Sequence, residues 1–174
     1  VGAAMEMFET GVITTADTDG LELKFGSAEA LTTLAELTGK NEGFGAEIGL
    51  GSKLLCEKHG KPELSMSVKG QEFPAYDSRG IQGMGLTYAT SNRGACHLRS
   101  YTVASEILGI PEKTDPLATE GKAGLVKAFQ DATAAFDSAG LCIFTSFAWT
   151  LDDVAPQLDA ACEGDWSTEN LLEV

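Results

Sequence analysis

Apolar residues recur at helical spacing in several parts of the chain, and these segments define most of its predicted elements. Residues 122–136 have the clearest pattern, because their apolar positions fall three and four residues apart. These positions are Leu125, Val126, Phe129, Ala132 and Phe136. A helix is also predicted after Ser27, a favourable N-cap, with Gly39 as its stop. Residues 2–10 predict a further helix that ends at Gly11.

The remaining segments have weaker patterns. Residues 63–72 alternate as a strand does, and the glycine-rich residues 73–100 predict a long loop. A helix is predicted over residues 101–108. The apolar run of residues 143–149 is expected to continue as a buried helix. Ser167 or Thr168 is expected to cap a final one.

Helical periodicity dominates, and strands do not alternate with helices. We therefore expect a mainly α fold rather than a doubly wound sheet. The break at Gly60-Lys61-Pro62 suggests a boundary between two helical lobes, which we place at residues 1–65 and 66–174.

A formal net charge of −14 over 174 residues narrows the classes of partner. Nucleic acid phosphates and anionic membrane surfaces would repel such a chain, so neither is expected to bind it. No apolar run approaches the ~18 residues needed to cross a bilayer. No basic region or cleavage pattern follows Val1, so we expect a cytoplasmic protein. The chain begins inside a helical pattern without an initiator methionine, which suggests a piece of a longer one.

The four cysteines are too far apart in sequence for a Cys-x-x-Cys pair; they are Cys56, Cys96, Cys142 and Cys162. This spacing excludes a self-contained clustered zinc or iron–sulfur motif. A chain this long and apolar does not need disulfides, so we expect reduced thiols. Cys142 lies at a predicted helix start. It is either a thiolate that ligates a metal or cluster, or a small buried apolar side chain. The other three fit the buried alternative.

The pattern Asp-x-x-Gly-Leu occurs twice, over Asp17–Glu22 and Asp137–Cys142. Each copy has a carboxylate, a glycine that frees the backbone and a leucine that can anchor the turn. A single copy is typical of an ordinary surface turn. Two copies in one chain, the second ending in a cysteine, indicate two sites for similar ligands.

The segment around His97 contains further candidates for chemistry. Like charge from two flanking arginines should lower the pKa of His97 and make it a neutral acid–base group, with a structural histidine as the alternative. Tyr76 could donate to a substrate oxygen or simply pack as an amphipathic aromatic. Arg79, Arg93 and Arg99 concentrate here, either as an anion site or as partners of nearby carboxylates.

Two segments together resemble one known family, the tungsten-containing aldehyde:ferredoxin oxidoreductases. They are residues 68–80, VKGQEFPAYDSRG, and residues 83–98, GMGLTYATSNRGACHL. The two Asp-x-x-Gly-Leu turns are similar to the pterin-binding turns of that family. The resemblance covers essentially the whole chain.

The resemblance implies that the turns hold the ring ends of two molybdopterins, which bind one tungsten or molybdenum through dithiolenes. The residues concerned are Asp17, Gly20, Leu21 and Glu22 in the first turn, and Asp137, Gly140 and Leu141 in the second. Some relatives have aspartate at the position of Glu22, and a carboxylate is kept. The two helical lobes are then expected to flank this cofactor.

The same resemblance implies roles for four more residues. Cys142 would be the last of four cysteine ligands of a 4Fe–4S cluster. His97 and Tyr76 would line the substrate pocket, and Arg99 would lie where a basic residue approaches cofactor or substrate. The implied activity is oxidation of an aldehyde with water to a carboxylic acid, with two electrons passing to ferredoxin.

In that family the other three cluster cysteines, the catalytic glutamate and a β-rich N-terminal domain lie upstream of the matching region. This chain is therefore not expected to hold a complete cofactor by itself, and the rest of the parent chain is an expected partner. A second hypothesis stays open on the same ground. It is a non-enzymatic helical module that binds pterin, or assists assembly, without redox chemistry.

Overall fold

Helices make up most of the regular structure, which confirms the mainly α fold. The computed structural model describes residues 1–173. It divides into two compact units, Val1–Glu72 and Phe73–Val174, each with its own buried apolar side chains. Among the described residues, no helix is both long and apolar enough to cross a bilayer.

The first unit contains four α-helices and a small hairpin. The helices are α1 (Gly2–Glu9), α2 (Ala28–Lys40), α3 (Gly43–Ile48) and α4 (Ser52–Lys58), followed by a 3₁₀ helix (Pro62–Leu64). The hairpin pairs β1 (Ser67–Val68) with β2 (Gln71–Glu72) in antiparallel register, Ser67 opposite Glu72 and Val68 opposite Gln71. The strand predicted over residues 63–72 is therefore two very short strands.

Local signals set the ends of α2. The Oγ atom of Ser27 accepts from the backbone N of Ala30 at 3.1 Å, as an N-cap does. The predicted stop at Gly39 is wrong by a short distance, because the helix runs to Lys40 and ends at Asn41. Asn41 has φ of +57°, a left-handed conformation that asparagine tolerates better than most residues. The core under these helices includes Met7, Ile13, Leu23, Leu34 and Leu55.

The second unit contains six helical segments. They are α5 (Gln82–Thr90), a π-helix (Ala104–Leu108), α6 (Lys122–Ser138), a 3₁₀ helix (Ile143–Phe147), α7 (Leu151–Ala161) and α8 (Thr168–Leu171). Helix α6 matches the clearest predicted helix. The helix predicted over residues 101–108 forms only as the shorter π-helix. Ser167 caps α8, with Oγ accepting from the backbone N of Asn170 at 3.2 Å.

The loop predicted over residues 73–100 is wrong at its centre, which folds as α5. Glycine disfavours an isolated helix, but packing requires it at Gly83. A Cβ atom there would lie 2.5 Å from Oε2 of Glu106. The backbone N of Gly83 also donates to Oε1 of Glu106 at 2.9 Å. Contacts with the π-helix therefore override the local propensity.

The apolar run at residues 143–149 is not the predicted buried helix. Phe144 and Phe147 in its 3₁₀ helix are 53% and 40% exposed, and their rings stack on each other with centroids 6.2 Å apart. The run continues after Thr150 as α7, whose buried apolar side chains include Leu151 and Val154. A capping box between Thr150 and Asp153 starts α7.

A buried ion pair joins the π-helix to the start of α6. The Nζ atom of Lys122 lies 2.6 Å from Oε1 of Glu106, and these side chains are 6% and 0% exposed. The same Nζ donates to the backbone O of Asp115 at 2.6 Å. Because Glu106 also binds Gly83, the pair fixes α5, the π-helix and α6 to one another.

Replacing Lys122 by methionine should destabilise the protein by roughly 3–5 kcal/mol, because the carboxylate of Glu106 loses its buried partner. Lys127→Met is the matched control. Lys127 is 75% exposed and pairs with Asp131 at the surface, so its loss should cost at most about 0.5 kcal/mol. Urea denaturation of both variants measures the two free energies of unfolding. Equal losses would contradict the role given to the buried pair.

Candidate functional site

The first Asp-x-x-Gly-Leu turn lies between α1 and α2 and is held by local hydrogen bonds and by one bond from the backbone N of Phe44 to Oδ2 of Asp19. Oδ2 of Asp17 accepts from N and Oγ1 of Thr14 at 2.8 and 3.0 Å, and these bonds lower the pKa of Asp17. Gly20 has φ of +88°, which favours glycine. Thr18 is fully buried, and its Oγ1 donates to the backbone O of Leu21 at 2.6 Å. The exposed carboxylate of Asp17 is therefore fixed in position.

This turn borders a hollow of about 330 Å³, which Gly20, Leu21, Glu22 and Ser27 help to line. The carboxylate of Glu22 pairs with Nζ of Lys24 at 2.7 Å, and the pair lowers the pKa of Glu22. Apart from Gly20 and its two chain neighbours, none of the described residues places a heavy atom within 4 Å of where a Cβ of Gly20 would stand. The hollow therefore offers both charges and open access to a glycine backbone.

The second turn begins in the last residues of α6, and its carboxylate is bound by a residue distant in sequence. Nη1 of Arg99 donates to Oδ2 of Asp137 at 2.7 Å. Gly140 has φ of +73°, and Leu141 packs against the core of the second unit. Cys142 follows as the N-cap of the 3₁₀ helix, with its side chain exposed.

The two turns differ in the backbone before the glycine and in what holds the carboxylate. Asp19 has φ of +57°, whereas Ala139 at the matching position has φ of −72°. Both glycines are in the left-handed region, and both leucines are half-buried against the core of their own unit. Asp17 is bound within its turn, whereas Asp137 is bound by Arg99. The repeated motif thus corresponds to a repeated turn with an exposed carboxylate.

Two of the three concentrated arginines form ion pairs, one of the alternatives that the sequence left open. Arg79 binds Asp77 through Nε to Oδ1 at 3.0 Å and Nη2 to Oδ2 at 2.6 Å, which lowers the pKa of Asp77 to about 2. Arg99 pairs with Asp137, while its Nε is buried without a hydrogen-bond partner. Arg93 is exposed.

Tyr76 and His97 lie together in the second unit, with ring centroids 5.5 Å apart. Tyr101, which sequence analysis missed, lies 5.7 Å from Tyr76 and 5.8 Å from His97 by the same measure. The hydroxyl oxygens of Tyr76 and Tyr101 are 2.7 Å apart. Tyr88 on α5 donates to the backbone O of Tyr76 at 3.1 Å. The only sequence sign of Tyr101 is its position four residues after His97.

Burial sets the protonation states in this aromatic group. It lowers the pKa of His97, so the predicted direction holds, but the predicted cause, like charge from flanking arginines, is wrong. Burial also raises the pKa of Tyr88 and of Tyr101 to about 12. At neutral pH, His97 is therefore able to accept a proton, and these two tyrosines keep their hydroxyl hydrogens.

An apolar cavity of about 400 Å³ lies beside Tyr101. Its walls include the side chains of Phe129, Phe136, Phe147 and Trp149. Because Tyr101 also contacts Tyr76 and His97, the cavity and the aromatic group share a wall. A concave, mostly apolar space with a few polar groups at its edge is typical of small-molecule sites.

The cysteines divide into two buried and two exposed thiols. Cys56 and Cys96 are buried, as predicted. Cys162 is exposed, which corrects the prediction that it is a buried side chain; it follows the last residue of α7, outside the apolar face of that helix. Within residues 1–173, no group of three or more His, Cys, Asp or Glu is placed to hold a metal ion. Cys142 therefore stands apart from other potential ligands in this part of the chain.

Comparison with known proteins identifies the family. The family model for aldehyde ferredoxin oxidoreductase, domains 2 and 3, matches residues 1–174. The tungsten-containing aldehyde ferredoxin oxidoreductase of Pyrococcus furiosus is 45% identical over 176 residues, which cover 100% of this chain. Proteins of the same name from Pyrococcus horikoshii and Thermococcus kodakarensis are 44% and 42% identical, again over 100% of the chain.

The chain therefore belongs to the aldehyde ferredoxin oxidoreductase family of oxidoreductases. It spans 29% of the length of each of these curated relatives.

Protein stability should depend on pH through His97. Burial lowers its pKa in the folded state, so the unfolded chain binds more protons. Stability should fall as the pH drops through the ordinary histidine value of about 6.5, and the fall should continue down to the lowered pKa. Replacing His97 by glutamine should flatten this part of the curve. Melting temperatures measured between about pH 8 and pH 5 check this. Equal slopes in the two proteins would show that His97 contributes nothing.

Proposed function

We propose that the chain is part of an enzyme that oxidises aldehydes to carboxylic acids at a tungsten or molybdenum bis-molybdopterin centre. In this proposal the electrons pass through a 4Fe–4S cluster to ferredoxin. One observation carries it. The family match runs unbroken through both Asp-x-x-Gly-Leu turns and through the paired Tyr76 and His97.

The carboxylate of each turn suits the ring end of a pterin. That ring carries amino and ring N–H groups, and a carboxylate accepts such hydrogen bonds. Asp17 and Asp137 are both exposed and held in place. Within residues 1–173, only the chain neighbours of Gly20 and Gly140 come within 4 Å of a Cβ built at these glycines. A flat ring can therefore approach the backbone of either turn. Arg99 would stabilise the carboxylate of Asp137 and adjoin the ligand bound there.

Cys142 is suited to ligate iron, because its thiol is exposed and directly follows the second turn. Three further cluster ligands would come from the rest of the full-length protein. When bound, the metal–pterin centre supplies the two-electron oxidation and the cluster relays electrons singly. The four free thiols support a reducing compartment, and we assign the protein to the cytoplasm.

His97 and Tyr76 would act on the substrate. Conversion of an aldehyde and water to a carboxylic acid releases two electrons and two protons. Neutral His97 would accept one proton from the attacking water. The hydroxyl of Tyr76 would donate to the carbonyl oxygen and orient the aldehyde. The apolar cavity beside Tyr101 supports a substrate with an apolar substituent.

A non-enzymatic pterin-binding or assembly module is the alternative, and metal analysis of the full-length protein separates the two. The enzyme should contain tungsten or molybdenum and about four irons per chain. A metal-free protein would support the module. Cys142→Ser should lose iron, because a ligand is removed. Cys162→Ser is the matched control, since it removes the other exposed thiol and should keep the iron. Equal iron in both variants would refute Cys142 as a ligand.

Replacing His97 by alanine in the full-length enzyme should reduce aldehyde turnover by about 10²–10⁴-fold, the range for a lost acid–base group. His59→Ala is the control, because His59 is the other histidine of the chain and binds Glu47 in the first unit. Steady-state rates with a fixed aldehyde and ferredoxin give the comparison. Unchanged turnover in the His97 variant would remove that residue from the mechanism.

A further inference from the structure

The contact between the hydroxyls of Tyr76 and Tyr101 is not used by the function proposed so far. The two oxygens lie 2.7 Å apart, the usual distance for an O–H···O hydrogen bond. Each phenol has a single hydrogen, so only one of the two can donate in this bond. Which one donates determines whether Tyr76 has a hydrogen left for a ligand.

We propose that Tyr101 is a positioning residue, whose hydroxyl donates to the hydroxyl of Tyr76 and so directs the hydrogen of Tyr76 towards an aldehyde carbonyl oxygen. The inference rests on the proposed function, in which Tyr76 donates to the substrate. If the hydroxyl of Tyr76 donates to the carbonyl oxygen, the hydroxyl of Tyr101 must be the donor in the bond between the two phenols. A chain of two donors also polarises each bond and strengthens the last one.

Packing holds the ring of Tyr101 in place for this task. Its ring meets those of Phe144 and Phe147 edge to face, with centroids 6.1 and 5.8 Å away. On another side it contacts Tyr76 and His97. Such edge-to-face contacts are favourable for aromatic pairs. The hydroxyl of Tyr101 therefore does not need to be ordered when a substrate arrives.

Tyr88 supports the same group by a different bond and provides a matched comparison. Its hydroxyl donates to the backbone O of Tyr76, not to the side chain. Replacing Tyr76 by phenylalanine removes the bond to Tyr101 and leaves the bond from Tyr88 intact. The chain contains only these three tyrosines. Two double-mutant cycles can therefore separate positioning of the hydroxyl from packing.

Both cycles are made in the full-length enzyme. The first combines Tyr76→Phe with Tyr101→Phe, and the second combines Tyr76→Phe with Tyr88→Phe. Tyr101→Phe should lower kcat/KM by about tenfold, the scale of one lost hydrogen bond, mainly through kcat. In the Tyr76→Phe background it should have less than about a twofold effect, because its partner is already absent. Tyr88→Phe should lower kcat/KM by the same factor in both backgrounds.

Thermal unfolding of the same variants provides a readout that does not depend on activity. Coupling between Tyr76 and Tyr101 in both melting temperature and kcat/KM supports the proposal. Coupling in melting temperature alone shows a purely structural bond and overturns it, as does an equal loss of kcat/KM in both backgrounds. A wild-type enzyme that oxidises no aldehyde would refute the proposed function itself. An active wild type with an additive first cycle refutes only the role of Tyr101.

Discussion

The buried carboxylate of Glu106 binds groups from two other segments of the second unit. Its Oε1 accepts from the backbone N of Gly83 on α5 and lies 2.6 Å from Nζ of Lys122 at the start of α6. An unpaired charge at this depth is very costly, so the three groups must assemble together. Such a pair need not add net stability over apolar residues, but breaking it is expensive. It therefore ties the π-helix to both α5 and the start of α6.

The aromatic group depends on that arrangement. Helix α5 carries Tyr88, which holds the backbone of Tyr76. The segment leading into the π-helix carries His97 and Tyr101. Helix α6 holds the same segment from the other side, because Oγ1 of its Thr133 donates to the backbone O of Arg99 at 2.9 Å. The buried ion pair, the bond from Tyr88 and the bond from Thr133 together hold the segments that carry the aromatic side chains.

The sequence predicts the elements whose signals are local and misses those that long-range contacts determine. Helices α2 and α6 are predicted because Ser27 caps one and apolar spacing runs through the other. Helix α5 is missed because its glycines indicate a loop, and the sequence does not show that Gly83 packs against Glu106. The run at residues 143–149 is apolar, which suggests burial, but Phe144, Phe147 and Trp149 are exposed. Residues of α7 are buried in the core instead. Tyr101 is missed because its position four residues after His97 does not reveal the contact between its hydroxyl and that of Tyr76.

The two Asp-x-x-Gly-Leu turns show the same limit within one motif. A carboxylate that must be ordered on binding costs side-chain entropy, so a binding turn benefits from holding it beforehand. Thr14 holds the carboxylate of Asp17 from a position only three residues earlier in the chain, so this anchor is local in sequence. Asp137 relies on Arg99, which no local pattern connects to it. Because Arg99 is two residues from His97, the geometry of the second turn is physically linked to that of the aromatic group. The first turn has a different long-range contact, in which Oδ2 of Asp19 accepts from the backbone N of Phe44 at 2.6 Å. The repeated sequence thus encodes a left-handed glycine and an anchoring leucine twice, while the surrounding fold decides the backbone before the glycine and the anchoring of each carboxylate.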